Sequence, residues 1–146
     1  MSAATFRIPP VIHYGAGALN ELGATARQLG FTRALLVTDK GVVQLGVAGQ
    51  ARKLLAEAGM EVTIFDGVQP DPTLANVEEG LALLRRAGCD GIVAVGGGSP
   101  IDCAKGISIR QANPEPLPQF MGVDKIPRAG LPVIASRDWH PPQTKH

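Results

Sequence analysis

Three consecutive glycines lie between an apolar run and a helix-favouring segment, in the sequence VGGGSPIDCAK that begins at Val95. Glycine has no Cβ atom, so the backbone of such a turn can approach a ligand closely. The start of a helix also offers free N–H groups and the positive end of its dipole to an anion. The combination is typical of a phosphate or pyrophosphate site. The competing interpretation is a plain strand-to-helix turn, for which one glycine is enough.

The residues after the glycines have the spacing of a helix start. Ser99 is predicted to be the N-cap, Pro100 suits the first helical position, and Asp102 completes a capping box three residues after the serine. Asp102 therefore has a structural interpretation beside a ligand-binding one. Lys105, one turn further along, either reaches a phosphate as a point charge or is simply solvated. The P-loop spacing G-x-x-x-x-G-K-[ST] is absent.

Two further aspartates follow apolar runs. Asp39 ends one such run, and an acidic residue there can bind an adenosine ribose and disfavour a 2′-phosphate, which selects NAD over NADP. An ordinary turn aspartate explains the same position equally well. The segment 69–73 enters a helix that Thr73 is predicted to cap. The position of Asp71 alone does not argue for a ligand role.

The elements that must position these residues alternate along the chain. Apolar runs predict strands over residues 34–38, 62–65, 91–95 and 131–135. The first and third are nearly continuous, which is typical of parallel strands buried on both faces. Helical spacing occupies residues 20–29, 47–58 and 74–84 and another helix follows the glycines. Gly59 and Gly88 are predicted left-handed residues after the helices over 47–58 and 74–84, and the helix over 20–29 is predicted to end at Gly30. The order predicts an α/β fold with a parallel, Rossmann-like sheet that binds ligands at the carboxyl ends of its strands. Residues 112–130, with four prolines, are predicted to be a long surface loop.

Composition excludes several classes of protein. The chain of 146 residues is 45% hydrophobic and 18% charged with 18 glycines, which indicates a packed domain and not a disordered chain. A net charge of +1 gives no footprint for nucleic acid or anionic lipid, and no apolar run is long enough to span a membrane. Cys89 and Cys103 lack CxxC spacing and are predicted to be buried thiols in a reducing compartment. With no apolar signal core, the chain is predicted to be cytoplasmic.

The sequence contains no recognisable reacting centre. The three histidines, His13, His140 and His146, have no metal-ligand spacing, and no G-x-S-x-G motif is present. His13 alternates with apolar neighbours and is predicted to lie in a strand. We therefore assign no catalytic residue and no metal ligand.

Taken together, these stretches resemble the N-terminal half of the iron-containing (group III) alcohol dehydrogenases. The resemblance covers about residues 6–135 and is carried by 15–17, 36–41, 65–73, 96–105, 122–124 and 131–135, of which 96–105 is the most specific. It implies an α/β domain that usually binds NAD, followed by an all-helical domain. It also implies reversible oxidation of a small alcohol to an aldehyde or ketone. A glycerol dehydrogenase or dehydroquinate synthase is the runner-up within the enzyme class.

The resemblance implies cofactor-binding roles for eight residues: Asp39, Asp71, Gly96, Gly97, Gly98, Ser99, Asp102 and Lys105. The glycine turn is similar to the family's pyrophosphate site, and Asp39 corresponds to the acidic residue that favours NAD. Asp71 stands where the family often has Asn near the nicotinamide. Asp102 and Lys105 match polar positions of the same motif.

The chain departs from the family after residue 135. We divide it into a dinucleotide-binding domain, 1–135, and a non-family tail, 136–146. The family's helical domain supplies one Asp and three His for a divalent metal, iron or zinc, and no residue here matches them. We expect a truncated or frameshifted product that is inactive alone, with part of its apolar surplus on the face that a helical domain would cover. The alternatives are a non-catalytic nucleotide-binding or interaction module and a remnant that does not fold, and a homo-oligomer is compatible with either enzyme or module.

Overall fold

The computed structural model describes residues 11–13, 18–113 and 130–136, with side chains from residue 19 onward. The predicted loop over 112–130 and the predicted tail over 136–146 therefore lie almost entirely outside the described residues. His140 and His146 also lie outside them.

Strands and helices alternate along the described chain, as the sequence predicts. The strands are β1 (Val11–His13), β2 (Arg33–Val37), β3 (Glu61–Phe65), β4 (Gly91–Val95) and β5 (Val133–Ser136). The helices are α1 (Leu22–Gln28), α2 (Lys40–Gln44), α3 (Val47–Glu57), α4 (Leu74–Ala87) and α5 (Gly98–Ala112), with a 3-10 helix over Ala18–Glu21.

The strands form one sheet in the order β1-β5-β4-β2-β3, and every neighbouring pair is parallel. This confirms the predicted parallel sheet. The first three predicted strands agree with β2, β3 and β4 to within one residue. The fourth was placed too early, since β5 begins at Val133 and runs one residue past the expected domain boundary, to Ser136. His13 lies in β1, as expected.

The sheet separates two apolar layers because successive side chains of a strand point to opposite faces. One layer packs α4 and α5 against Leu35, Val37, Ile92 and Ala94. The other packs α1, α2 and α3 against Ala34, Leu36, Val93 and Val95. Strand β4 is buried along its whole length. The near-continuous apolar runs of β2 and β4 are therefore explained by burial on both faces of the sheet, as predicted.

The chain leaves neighbouring strands toward opposite faces of the sheet. The connection after β2 leads to α2 and α3 on one face, whereas that after β4 leads to α5 on the other. Such a point, where the strand order changes direction, opens a crevice at the carboxyl ends of the strands. The crevice falls between Asp39 and Gly96, and β3 ends beside them because Phe65 pairs with Val37.

The helix ends follow the glycine pattern with two local differences. Gly59 and Gly88 have φ values of +94° and +69°, which confirms the predicted left-handed positions, and Gly30 has a φ of +85°. The predicted helix over 20–29 is divided into the 3-10 helix and α1. Helix α2 was not predicted, because its five residues are too few to display a period.

Asp90 ties β2 to β4 at the amino ends of the strands, the edge opposite the crevice. Its carboxylate accepts hydrogen bonds from the Thr32 hydroxyl at 2.6 Å and from the N–H groups of Thr32 and Arg33 at 3.0 Å. Burial alone would raise the pKa of this carboxyl, but these bonds to the charged form hold the pKa below its ordinary value. The ionised form of Asp90 is therefore part of the folded structure.

Asp90→Ala should lower the free energy of unfolding at pH 7 by about 1–2 kcal/mol, because three donors lose a charged acceptor at a partly exposed site. Since the folded-state pKa is depressed, the stabilisation is present above the unfolded value of about 3.9 and is lost as the pH falls through the folded-state pKa. Urea denaturation should therefore show a smaller difference between wild type and variant at pH 3 than at pH 7. Asp90→Asn, which keeps one acceptor oxygen, is the matched control and should lose less. A difference that is the same at both pH values would contradict this role.

Candidate functional site

The loops after β2, β3 and β4 enclose an open cleft of about 440 Å³ at the carboxyl edge of the sheet. Its lining residues are Asp39, Gly41, Val68, Gln69, Pro70 and Ser99. The structure thus brings together Asp39 and Ser99, which are 60 residues apart in the sequence. The cleft lies at the crevice where a parallel α/β sheet is expected to bind its ligand.

Asp39 has the local role that its position allowed. Its backbone is extended, and its Oδ1 atom accepts a hydrogen bond of 2.9 Å from the N–H of Val42, so it is the N-cap of α2. The same side chain is half-buried and lines the cleft. Capping uses only one of the two carboxylate oxygens, Oδ1. Asp39 can therefore cap α2 and contact a ligand in the cleft at the same time, so the two interpretations are compatible.

The three glycines of the turn have different reasons to be glycine. Gly96 has a φ of +135°, and a Cβ atom there would lie 3.0 Å from Cγ of Pro100 and 3.3 Å from Cγ2 of Val42. Both backbone conformation and packing therefore require glycine at this position. Gly97 and Gly98 are exposed, neither has a positive φ, and a Cβ atom on either would meet no described atom within 4 Å. Nothing in the described part of the protein requires these two residues to be glycine.

The predicted capping of α5 is wrong. The helix begins at Gly98, so its N-cap is Gly97, which has no side chain to bond to the first turn. The Ser99 hydroxyl instead donates a hydrogen bond to the carbonyl of Pro70, and it thereby joins the glycine turn to the loop after β3. Asp102 lies too far into the helix to complete a capping box. Because the cap is glycine, no cap side chain competes with an anion for the first N–H groups of α5.

Asp102 and Lys105 face a different cleft from Asp39 and Ser99. They line a mostly apolar groove of about 400 Å³ between α4 and α5, together with Pro72, Thr73, Leu74, Val77, Gly106 and Ile109. Asp71 is exposed in the loop between Pro70, which lines the first cleft, and Pro72, which lines the second. The predicted site residues are thus distributed along two adjoining clefts, with the first turns of α5 between them.

Asn76 was missed by sequence reasoning, although it holds the loop that lines the first cleft. The side chain is buried; its Oδ1 accepts from the N–H of Gln69 at 2.8 Å and its Nδ2 donates to the carbonyl of Gly67 at 2.8 Å. Its own N–H donates to Oγ1 of Thr73, which confirms the predicted helix cap. The only available sequence signal was its position three residues after that cap, where a side chain can fold back over the preceding loop.

The two cysteines do not contribute a nucleophile. Burial, and next the charge of Glu79, raises the pKa of the Cys103 thiol to about 12. Burial also raises the pKa of Cys89, against a smaller lowering by a hydrogen bond with Thr63. Both thiols are therefore protonated at neutral pH and behave as small buried apolar groups, as their isolated spacing suggested.

A metal ion finds no ligand set among the residues that the structure describes. Within 11–13, 18–113 and 130–136, no group of three or more His, Cys, Asp or Glu side chains is placed to hold one.

Comparison with known proteins connects this geometry to one family. The family model for iron-containing alcohol dehydrogenase matches residues 9–136. The chain belongs to the iron-containing alcohol dehydrogenases. The match includes the glycine turn, both clefts and all five strands of the described sheet. It bears out the resemblance carried by the sequence motifs.

Members of this family resemble the chain in both sequence and structure. A 1,3-propanediol dehydrogenase from Klebsiella pneumoniae is 43% identical over 132 residues, which cover 89% of this chain and 34% of the relative. An NAD-dependent methanol dehydrogenase from Bacillus methanolicus is 38% identical over 130 residues, covering 89% of this chain and 34% of the relative. The crystal structure of a 1,3-propanediol oxidoreductase superposes with a TM-score of 0.80 at 41% identity, covering 92% of this chain and 35% of that one. The chain thus spans about a third of the length of these relatives. None of the helices described is long and apolar enough to cross a membrane.

Asn76→Ala should lower the free energy of unfolding by about 2–3 kcal/mol, because it leaves the N–H of Gln69 and the carbonyl of Gly67 without their buried partner. Amide exchange of Gln69 should accelerate in the variant, since that N–H loses its acceptor. Asn76→Asp is the matched control: it keeps an acceptor for Gln69 and loses the donor to Gly67, so Gln69 should stay protected. Equal acceleration of exchange in both variants would show that Asn76 does not hold this loop through Gln69.

Proposed function

We propose that this chain binds NAD at the carboxyl edge of its sheet and is the cofactor-binding part of an iron-type alcohol dehydrogenase. The observation that carries the proposal is the pair Gly97 and Gly98. An extended or helical backbone with open space around it accepts any side chain, yet glycine occupies both positions. A ligand backed against this turn would supply the missing reason, because only glycine lets it approach the main chain.

The chemistry of the turn favours a pyrophosphate as that ligand. Helix α5 has 15 residues and begins at this turn, so its dipole and its first N–H groups stabilise negative charge there. Ser99 positions the turn against Pro70 by its hydrogen bond. Lys105 lies two turns into the same helix, where its charge can add to the attraction for phosphate.

Asp39 provides the preference for NAD in this proposal. Its carboxylate lines the same cleft as Ser99 of the glycine turn, and an acidic residue at such a strand end is the group that binds the adenosine ribose in folds of this kind. A carboxylate accepts hydrogen bonds from the two ribose hydroxyls and repels a 2′-phosphate. The NAD-dependent methanol dehydrogenase among the relatives supports this choice of cofactor. We assign Asp71 and Asp102 to the same cofactor, on the side where the second cleft begins.

We propose that the enzyme to which this cofactor-binding part belongs catalyses the reversible oxidation of an alcohol to an aldehyde or ketone. Bound NAD would supply the hydride acceptor. The residues of this chain would bind and orient the dinucleotide. The apolar groove between α4 and α5 would exclude water from the half of the dinucleotide that lies over it. The relatives are named for different alcohols, propanediol and methanol, so we propose a small alcohol without naming one.

We further propose that the 146-residue chain binds NAD without turning over an alcohol. The family's divalent metal, iron or zinc, would polarise the alcohol oxygen, and the described residues offer no cluster for it. The second candidate is a non-catalytic nucleotide-binding module, which would hold NAD with the same cleft residues. We keep 1–135 as the proposed dinucleotide-binding domain, 136–146 as a tail and the cytoplasm as the proposed location.

Replacing Gly97 should separate binding from folding. Titration calorimetry should show heat when NAD⁺ is added to the wild type. Gly97→Val should bind NAD⁺ at least about tenfold more weakly, because the valine side chain fills the phosphate position. The free energy of unfolding of Gly97→Val, measured by urea denaturation, should stay within about 0.5 kcal/mol of wild type. Gly96→Ala should instead lose stability by about 1–3 kcal/mol, through its positive φ and its contact with Pro100. Gly49→Ala, at an exposed glycine of α3 with open space around it, is the control and should leave binding unchanged.

Two results would contradict the proposal. Folded wild-type chain that gives no heat with NAD⁺ would remove the cofactor site. Metal-dependent production of NADH from a short alcohol by the purified chain would show that it carries a reacting centre after all.

A further inference from the structure

Lys40 and Asp66 form an ion pair beside the cleft residue Asp39. The Lys40 Nζ atom lies 3.1 Å from Oδ1 of Asp66, and both side chains are substantially exposed. Lys40 directly follows Asp39, and Asp66 directly follows β3, the neighbour of β2 in the sheet. The pair therefore spans the ends of two adjacent strands at the place proposed for the adenosine ribose.

The charged residues at this place act differently on NAD and NADP, because only NADP has a 2′-phosphate. Asp39 repels the 2′-phosphate of NADP, whereas a lysine next to it would attract that phosphate as a point charge. Asp66 occupies the ammonium group of Lys40 and also adds a second negative charge. The three residues together have a net charge of −1, with their only cation bound to a carboxylate. So exposed a pair contributes little to stability, so removing it should leave the protein folded.

We propose that Asp66 is a specificity-determining residue, which disfavours NADP by pairing with Lys40 and so withholding the lysine charge from a 2′-phosphate. This inference rests on the proposed binding of NAD at the same cleft. Asp39 selects NAD by contact with the ribose, and Asp66 acts through Lys40. Discrimination between the dinucleotides then has two layers, of which the second lies outside the cleft lining.

The experiment measures the dissociation constants of NAD⁺ and NADP⁺ by calorimetry on the full chain. Asp66→Asn keeps the size of the side chain and releases Lys40, so the ratio of the NADP⁺ constant to the NAD⁺ constant should fall about three- to fivefold, as expected for one exposed ion pair. High salt should reduce this change. Lys40→Gln on the Asp66→Asn background should restore the ratio, whereas Lys40→Gln in wild type should change it less, because there the lysine is already neutralised.

Glu78→Gln is the matched control, because it removes the same charge from the Glu78–Arg110 ion pair on α4 and α5 and should leave the ratio unchanged. If wild type binds neither dinucleotide, the proposed function fails and this inference fails with it. If wild type binds NAD⁺ but Asp66→Asn leaves the ratio unchanged, only the role of Asp66 is overturned. A gain that persists in the double variant would show that Asp66 acts by its own charge, which overturns the role of Lys40.

Discussion

The burial of β4 on all sides is the constraint on which the rest of the structure depends. Its residues lie between β2 and β5 within the sheet and between two layers of helices across it, and all five are buried. A strand in that position must be apolar throughout. After its last residue the chain turns sharply out of the sheet to begin α5. Helices on both faces can cover it only if the connections after β2 and β4 diverge. The crevice is thus a consequence of how the core is closed, and the glycine turn lies at its edge.

Conformational and ligand requirements are separable within that turn. Gly96 is required by a left-handed backbone next to Pro100 and Val42, so the fold explains it fully. Neither backbone conformation nor packing requires glycine at Gly97 or Gly98, which is the observation behind the proposed phosphate site. A run of three glycines therefore contains one residue that the fold requires to be glycine and two that the described contacts do not. The sequence alone shows three equivalent letters.

The fold was largely predictable because long apolar runs and helical stripes carry redundant information. Each strand is supported by several residues, so β2, β3 and β4 were placed to within one residue. The details of the site depend on single residues and were less accessible. Ser99 has the ideal identity and spacing for an N-cap, but a glycine before it can begin the helix earlier, and the hydroxyl then finds a carbonyl 29 residues away. Asn76 stabilises its loop through two main-chain groups, and its position three residues after the helix cap is too weak a signal to predict that contact.

The two edges of the sheet divide stability from binding. At the amino edge, Asp90 uses its charge to fasten β2 to β4, and its bonds are satisfied within the protein. At the carboxyl edge, fewer of the polar groups are hydrogen-bonded within the protein. One carboxylate oxygen of Asp39 accepts a hydrogen bond from the first turn of α2, and the glycine N-cap of α5 gives the first turn of that helix no side-chain acceptor. A parallel sheet places all its strand ends in register at both edges, so either edge could have carried the site. Helix dipoles distinguish the two edges in the part of the chain that the structure describes, because α2, α4 and α5 begin at the carboxyl edge and direct their positive ends toward it.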